Sequence, residues 1–257
     1  MVARVRLPVL VKRVRASLPE KDQTWYKTKT RTEKQEQKRK LTRFSHELQI
    51  LTARRLDRLE SLKQELSEKH SAIQIHTMAL DIREKKNIDK AVAELPVKDI
   101  DVLVNNAGLV IGMDHLEKVT EEAYNTMFDT NVKGLVFLTQ ALLPHMKARQ
   151  AGHIINLGSA NRATLVVEFI AVQHMRRKRL TGSHQYLASK FAVEAITRAL
   201  LYELVDTPIR VSQICPGMVN TEFSTIRFGG DKKKADDVYK GMQPLVGQDI
   251  GKLPDMC

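Results

Sequence analysis

The sequence predicts an α/β fold: a doubly wound sheet of parallel strands covered on both faces by helices. Two observations carry this. Short apolar runs of the kind buried on both faces alternate, along residues 49–217, with longer segments of helical period. That alternation is how parallel strands are joined. The length of 257 residues also suits one such domain with a sizeable core.

The elements follow in order. QILTA (49–53) is a short apolar strand, and RRLDRLESLKQELSEK (54–69) sets leucines at helical spacing with opposite charges four apart. SAIQIHTMALDI (71–82) alternates as a strand does, and NIDKAVAEL (87–95) is a short helix. DIDVLVNNAG (99–108) is a buried strand running into a polar turn. A long helix spans 120–148, with Thr120 or a neighbour as its cap. GHIINLGS (152–159) is another buried strand, YLASKFAVEAITRALLYEL (186–204) another helix, and IRVSQICPG (209–217) the last strand.

Composition narrows the classes. Two cysteines, Cys215 and Cys257, cannot build a disulfide framework, so a reducing, cytoplasmic setting is expected. The longest apolar cluster, TLVVEFIAV, is far short of a membrane span. The net charge of +12 is unevenly placed, since residues 1–48 hold 14 Lys/Arg against 5 Asp/Glu. Residues 1–48 are therefore set apart as a basic, divergent segment ahead of the domain at 49–257. The first 19 residues are free of acids and rich in arginine, as a mitochondrial presequence is, although Pro8 interrupts them. A basic arm of this kind could bind nucleic acid or an acidic membrane surface, but Trp25, Tyr26 and Phe44 are too few for base stacking, and neither nucleic acid nor membrane is the expected partner. His76, His115 and His145 lack ligand spacing, so no metal site is expected.

The chemistry begins at QYLASKFAVEA (185–195), which puts Tyr186 and Lys190 one helical turn apart on one face. A phenol titrates near pH 10, and an ammonium held nearby favours the phenolate and draws that value toward neutrality. Of the five tyrosines only Tyr186 has lysine at this distance. In wound sheets, ligands sit beyond the carboxyl ends of the strands. Three polar turns fall there: NNAG (105–108), NLGSAN (156–161) and CPGMVNTE (215–222). Their small residues let a flat ligand approach the backbone, and their polar ones offer hydrogen bonds.

Together, NNAG, TNVKG with Asn131, NLGS with Ser159, YLASK and PGMVNT resemble the short-chain dehydrogenase/reductase family over about residues 49–250. The tail NTEFSTIRFGGDKKKADDVYKGMQPL is similar to its NADP-dependent 3-hydroxy acid dehydrogenases, which oxidise serine, allo-threonine and related acids. The resemblance implies a Rossmann-like fold, frequent homo-oligomers, and hydride transfer between NADP and a small 3-hydroxy acid. It implies that Tyr186 exchanges a proton with the substrate oxygen and that Ser159 hydrogen-bonds that oxygen. Lys190 would lower the tyrosine pKa and hold the nicotinamide ribose, and Asn131 would anchor a water leading to solvent. Cofactor contacts are implied for Asn105, Asn106, Ala107 and Gly108, for Tyr186 and Lys190, and for Pro216, Gly217, Val219 and Thr221. Arg54 and Arg55 follow the second strand, where a guanidinium would pair with a 2′-phosphate. They point to NADP, with Asp81 near the adenine.

Three features depart from the family pattern. No glycine precedes Gly108, so the glycine-rich turn that meets the pyrophosphate is absent, and VLVKRVRASLPEK stands in its place as a defective first strand and turn. Ser159 and Tyr186 are 27 apart, about twice the usual spacing, with the surplus in the 160–185 stretch. The chain ends at Cys257, where the family continues to a further helix and strand. These features raise two alternatives: an impaired homologue kept as a binding module, or a misread gene for an intact enzyme. Read one base late, codons for Thr-Gly-Ala-Ser can begin Arg-Val-Arg-Ala, which is residues 13–16.

Overall fold

The computed structural model describes residues 9–13, 47–112, 114–159, 184–237, 239–241 and 243–251. Six strands form one sheet in the spatial order β3-β2-β1-β4-β5-β6. They are β1 (Val9–Arg13), β2 (Glu47–Ala53), β3 (Ile73–Ala79), β4 (Val102–Asn105), β5 (His153–Leu157) and β6 (Arg210–Ile214). The helices that wind them are α1 (Leu56–Lys69), α2 (Lys85–Glu94), α3 (Glu121–Phe128), α4 (Gly134–Arg149) and α5 (His184–Glu203). Three short helices follow β6: α6 (Glu222–Arg227), α7 (Lys232–Asp237) and α8 (Gly247–Gly251).

Successive strand residues face opposite ways, and the core divides accordingly. Ile50, Leu103 and Ile154 point to one face, where they meet Ile88 of α2, Leu138, Leu142 and Met146 of α4, and Leu200 of α5. On the other face Leu51 packs on Leu59 and Leu62 of α1, while Val104 and Ile155 cluster with Leu157, Ile214 and Ile250. The sheet is covered on both sides, as the alternation of the sequence requires.

One strand departs from the expected parallel sheet. β2 with β3, and β4 with β5 and β6, pair in parallel, but β1 runs antiparallel to both β2 and β4. Val9 stands opposite Thr52 and Arg13 opposite Leu48, so β1 leaves the sheet at the amino ends of its neighbours. A period of two reads the same from either end, and either direction satisfies the backbone groups of β2 and β4.

The predicted long helix is realised as α3, a π-helical turn at Asp129–Lys133, and α4. Thr120 caps α3 through its side chain, which accepts from the Ala123 amide at 3.2 Å. A single π turn inside an α-helix re-aims its side chains and recurs at functional sites. Here it carries Asn131 inward. Gly134 follows because α4 packs close to the chain leaving β3. A Cβ there would come within 2.5 Å of Ile82 Cδ1 and 2.9 Å of the Ile82 carbonyl oxygen.

Candidate active site

The carboxyl ends of the five parallel strands open on one cleft of about 600 Å³. At one end, β2 delivers Arg54, Arg55 and Arg58 of the following turn and helix, and β3 delivers Asp81. Asn106, Ala107 and Gly108 after β4 form the middle of its wall, and Ser159, Tyr186 and Lys190 close the other end. The turn after β6 adds Pro216, Gly217, Val219 and Thr221. The residues singled out in sequence therefore meet along one wall of one cavity, apart from two asparagines.

Asn105 is the first exception. Its side chain is buried in the sheet, donating to Thr139 Oγ1 at 3.0 Å and Asn156 Oδ1 at 2.9 Å, and Asn156 donates on to Thr197 Oγ1 at 3.0 Å. This ladder fastens β4 and β5 to α4 and α5. Its place is structural, because the last residue of a buried strand points into the layer while the next one faces the crevice. Asn131 is the second. It is 1% exposed, its Oδ1 accepts from the Leu109 amide at 2.8 Å, and its Nδ2 donates to the Leu109 carbonyl and to Ser189 Oγ, both at 2.9 Å. It ties the 106–110 strap to α5 immediately behind the cleft. Gly108 lies between this asparagine and Lys190, since a Cβ there would sit 3.4 Å from Asn131 Oδ1 and 3.5 Å from Lys190 Nζ.

At the reacting end, the Tyr186 hydroxyl is hydrogen-bonded to the Ser159 side chain. The two residues 27 positions apart in sequence thus meet, one at the tip of β5 and the other in the first turn of α5. Burial raises the Tyr186 pKa above its ordinary value, while the Ser159 hydrogen bond and the Arg227 charge pull it down. Lys190 lies deeper, with Nζ donating to the Leu157 carbonyl at 2.8 Å and standing 5.9 Å from the centre of the Tyr186 ring. Burial lowers its own pKa to about 8. Lys190 and Arg227 thus stand at almost the same distance from the Tyr186 ring, 5.9 Å and 6.0 Å from its centre.

Arg227 had no motif to announce it beyond a lone cation between Ile226 and Phe228 in FSTIRF. It closes α6, with its guanidinium carbon 6.0 Å from the Tyr186 ring centre and 5.3 Å from that of Phe223. Phe223 in turn meets Tyr186 edge-on at 5.5 Å. At the far end, Arg58 pairs with Glu222 at 2.6 Å and Arg55 approaches the same carboxylate at 3.8 Å. Asp81 is held by Arg83, whose hydrogen bond lowers the aspartate pKa. Among the described residues no group of acidic, histidine or cysteine side chains could hold a metal ion, and no helix is long and apolar enough to cross a membrane.

Comparison with known proteins gives this geometry its context. The family model for short chain dehydrogenase matches residues 41–228. The chain is 38% identical over 207 residues to the NADP-dependent 3-hydroxy acid dehydrogenase of Schizosaccharomyces pombe, covering 79% of this chain and 74% of that one. It is 39% identical over 207 residues to sulfoacetaldehyde reductase 2 of Chromohalobacter salexigens, with coverages of 79% and 75%. Among solved structures, a closed form of serine dehydrogenase complexed with NADP+ superimposes with a TM-score of 0.69 at 38% identity, over 80% of this chain and 76% of that one.

Proposed function

Because the chain belongs to the short chain dehydrogenase family, we propose that it is an NADP-dependent oxidoreductase interconverting the hydroxyl and carbonyl forms of small 3-hydroxy acids. The observation that carries this is the Ser159–Tyr186 hydrogen bond at the end of a long cleft, with Lys190 one turn behind. The names of the relatives supply the substrate class. A 3-hydroxy acid and sulfoacetaldehyde share one chemical feature, an anionic group one carbon away from the carbon that is oxidised or reduced.

The residues present fit the two ends of NADP. Arg54, Arg55 and Arg58 offer guanidinium groups where a 2′-phosphate would lie, and Asp81 stands beside them. Toward the other end, Gly108 in the middle of the wall leaves the room that a side chain would fill between Asn131 and Lys190. When bound, the nicotinamide supplies a carbon that accepts or donates hydride.

In the oxidative direction the substrate hydroxyl takes its place between Ser159 and Tyr186. Ser159 Oγ fixes the oxygen, and Tyr186, once ionised to its phenolate, receives the hydroxyl proton as the C–H bond gives up hydride. Ser159 and Tyr186 then both face a carbonyl oxygen, and the reverse reaction returns the same proton from Tyr186. Lys190, anchored on the Leu157 carbonyl, holds the ribose hydroxyl groups and keeps a positive charge close to the oxygen that becomes anionic. Asn131 works one layer back by clamping Leu109 to α5, so the strap beside the reacting atoms cannot drift.

The test is direct. Full-length protein incubated with NADP+ and L-serine, L-allo-threonine or 3-hydroxypropanoate is expected to form NADPH, and NAD+ is expected to serve poorly. Formation of no NADPH from any of the three acids would overturn the proposal.

A further inference from the structure

Two cations flank the Tyr186 ring at the reacting end, Lys190 and Arg227. Lys190 Nζ donates to the Leu157 carbonyl, whereas Arg55 and Arg58, at the far end of the cleft, pair with Glu222. Arg227 meets no carboxylate among the described residues, and its buried Nε has no hydrogen-bond partner. Among the described residues its charge lies against the rings of Tyr186 and Phe223. Arg227 as a whole is half-buried, and shielding part of a guanidinium from water without an anion carries a cost that two aromatic faces offset only in part.

The mount of this arginine is firm. Thr221 caps α6 by accepting from the Phe223 amide at 3.3 Å, and Ser224 shares a 2.6 Å hydrogen bond with the Tyr239 hydroxyl. Tyr239 donates to the Val219 carbonyl at 2.9 Å, and Glu222 is held across the cleft by Arg58. This mount fixes the cation beside the ring of the proton-carrying tyrosine, 6.0 Å from its centre, at the edge of the cleft that Phe223 and Glu222 line.

We propose that Arg227 is the specificity residue that recognises the anionic group of the substrate, a carboxylate or sulfonate one carbon from the reacting carbon. This rests on the reading that Tyr186 and Ser159 hold the reacting oxygen. The fork of a guanidinium matches a carboxylate with two parallel hydrogen bonds, which an ammonium cannot reproduce. A bound anion satisfies the orphaned Nε and neutralises the buried charge together. A neutral alcohol or ketone does neither, so acids are selected over esters of the same size.

The experiment compares 3-hydroxypropanoate with its methyl ester in the NADP+ assay, using wild type, Arg227→Met and Arg227→Lys. The acid-to-ester ratio of kcat/KM is expected to fall roughly a hundredfold in R227M, the range seen when one partner of a buried charge pair is removed, and by less in R227K. Malonate gives a readout independent of turnover, because it places a carboxylate one methylene from a second carboxyl carbon and cannot be oxidised. Calorimetric titration is expected to show malonate binding to wild type and at least tenfold weaker binding to R227M. NADPH affinity, measured alongside, establishes that each variant is folded, and R227K alone decides the matter if R227M is not. An unchanged ratio with unchanged malonate affinity, or no malonate binding to wild type, would overturn the assignment. If wild type oxidises neither compound while malonate binding still depends on Arg227, the assignment stands and the proposed reaction is what fails.

Discussion

Lys190 allows a test in which activity and stability move in opposite directions. The side chain is 8% exposed, and burial brings its pKa from 10.5 to about 8. The unfolded chain keeps its proton up to about 10.5, whereas the folded protein releases it near 8. Between these values the unfolded state binds more protons, so stability rises with pH. The stabilisation is fully present above 10.5 and is lost as pH falls through 8. That interval corresponds to about 3 kcal/mol, all of it a burden on the folded protein at pH 7. Lys190→Met is one atom shorter and removes the charge, but leaves the Leu157 carbonyl without its donor, a loss of about 1–2 kcal/mol. The variant is therefore expected to be about 1–2 kcal/mol more stable than wild type at pH 7 and to have lost nearly all turnover. Urea unfolding at pH 7 and pH 10 measures this, and comparison with the variant cancels other groups that titrate in the window. If wild-type stability is flat over that window, or if K190M is the less stable protein at pH 7, the charge is not held against a burial cost and the reasoning fails.

Four further outcomes follow from the same geometry. Tyr186→Phe removes the proton carrier and keeps the ring against Phe223, so turnover should fall about a thousandfold with NADPH affinity nearly intact; substantial residual activity would name a different proton carrier. Glu222→Gln releases Arg55 and Arg58, and because the pair is largely exposed the gain in NADPH affinity should be only a few-fold and should shrink with salt; fluorescence titration at two ionic strengths checks it, and an unchanged Kd would separate these arginines from the phosphate. His153, 3% exposed with a pKa lowered to about 4 by burial and then by Arg210, contributes stability that is present above pH 6.5 and lost as pH falls through 4, so His153→Gln should flatten the acid limb of the unfolding midpoint. Asn131→Ala abandons three buried hydrogen bonds and should destabilise by about 2–4 kcal/mol, read from the urea midpoint, with a change under 1 kcal/mol refuting the clamp.

Much of the fold was legible because two periodicities are hard to confuse over long stretches. The run of leucines in α1 and the apolar strands at β4 and β5 each matched one period only, and their elements stand within a few residues of where the pattern put them. The site was legible for a different reason. Its residues cluster at strand ends, and a wound sheet gathers all strand ends on one edge, so correct strands placed Arg54, Asp81, Gly108 and Ser159 on one cleft without any contact being known. What failed to show was whatever depends on direction or on a single side chain. β1 reads as a strand from either end, Asn105 differs from Asn106 only by which way one residue points, and an isolated Arg227 has no spacing to give it away.

The long interval between Ser159 and Tyr186 shows why distance along the chain is a poor guide to such a site. Closing a longer loop adds only about 0.6 kcal/mol for each doubling of its length. A surplus inside 160–183, which lies outside the described residues, is therefore thermodynamically slight if both ends are fixed independently. They are. Ser159 follows β5, registered residue by residue against β4 and β6, and Tyr186 is set by α5, which is bolted to β5 through Asn156 and Thr197 and through Lys190 to the Leu157 carbonyl. The hydrogen bond between serine and tyrosine is a property of the strand and the helix and of their packing.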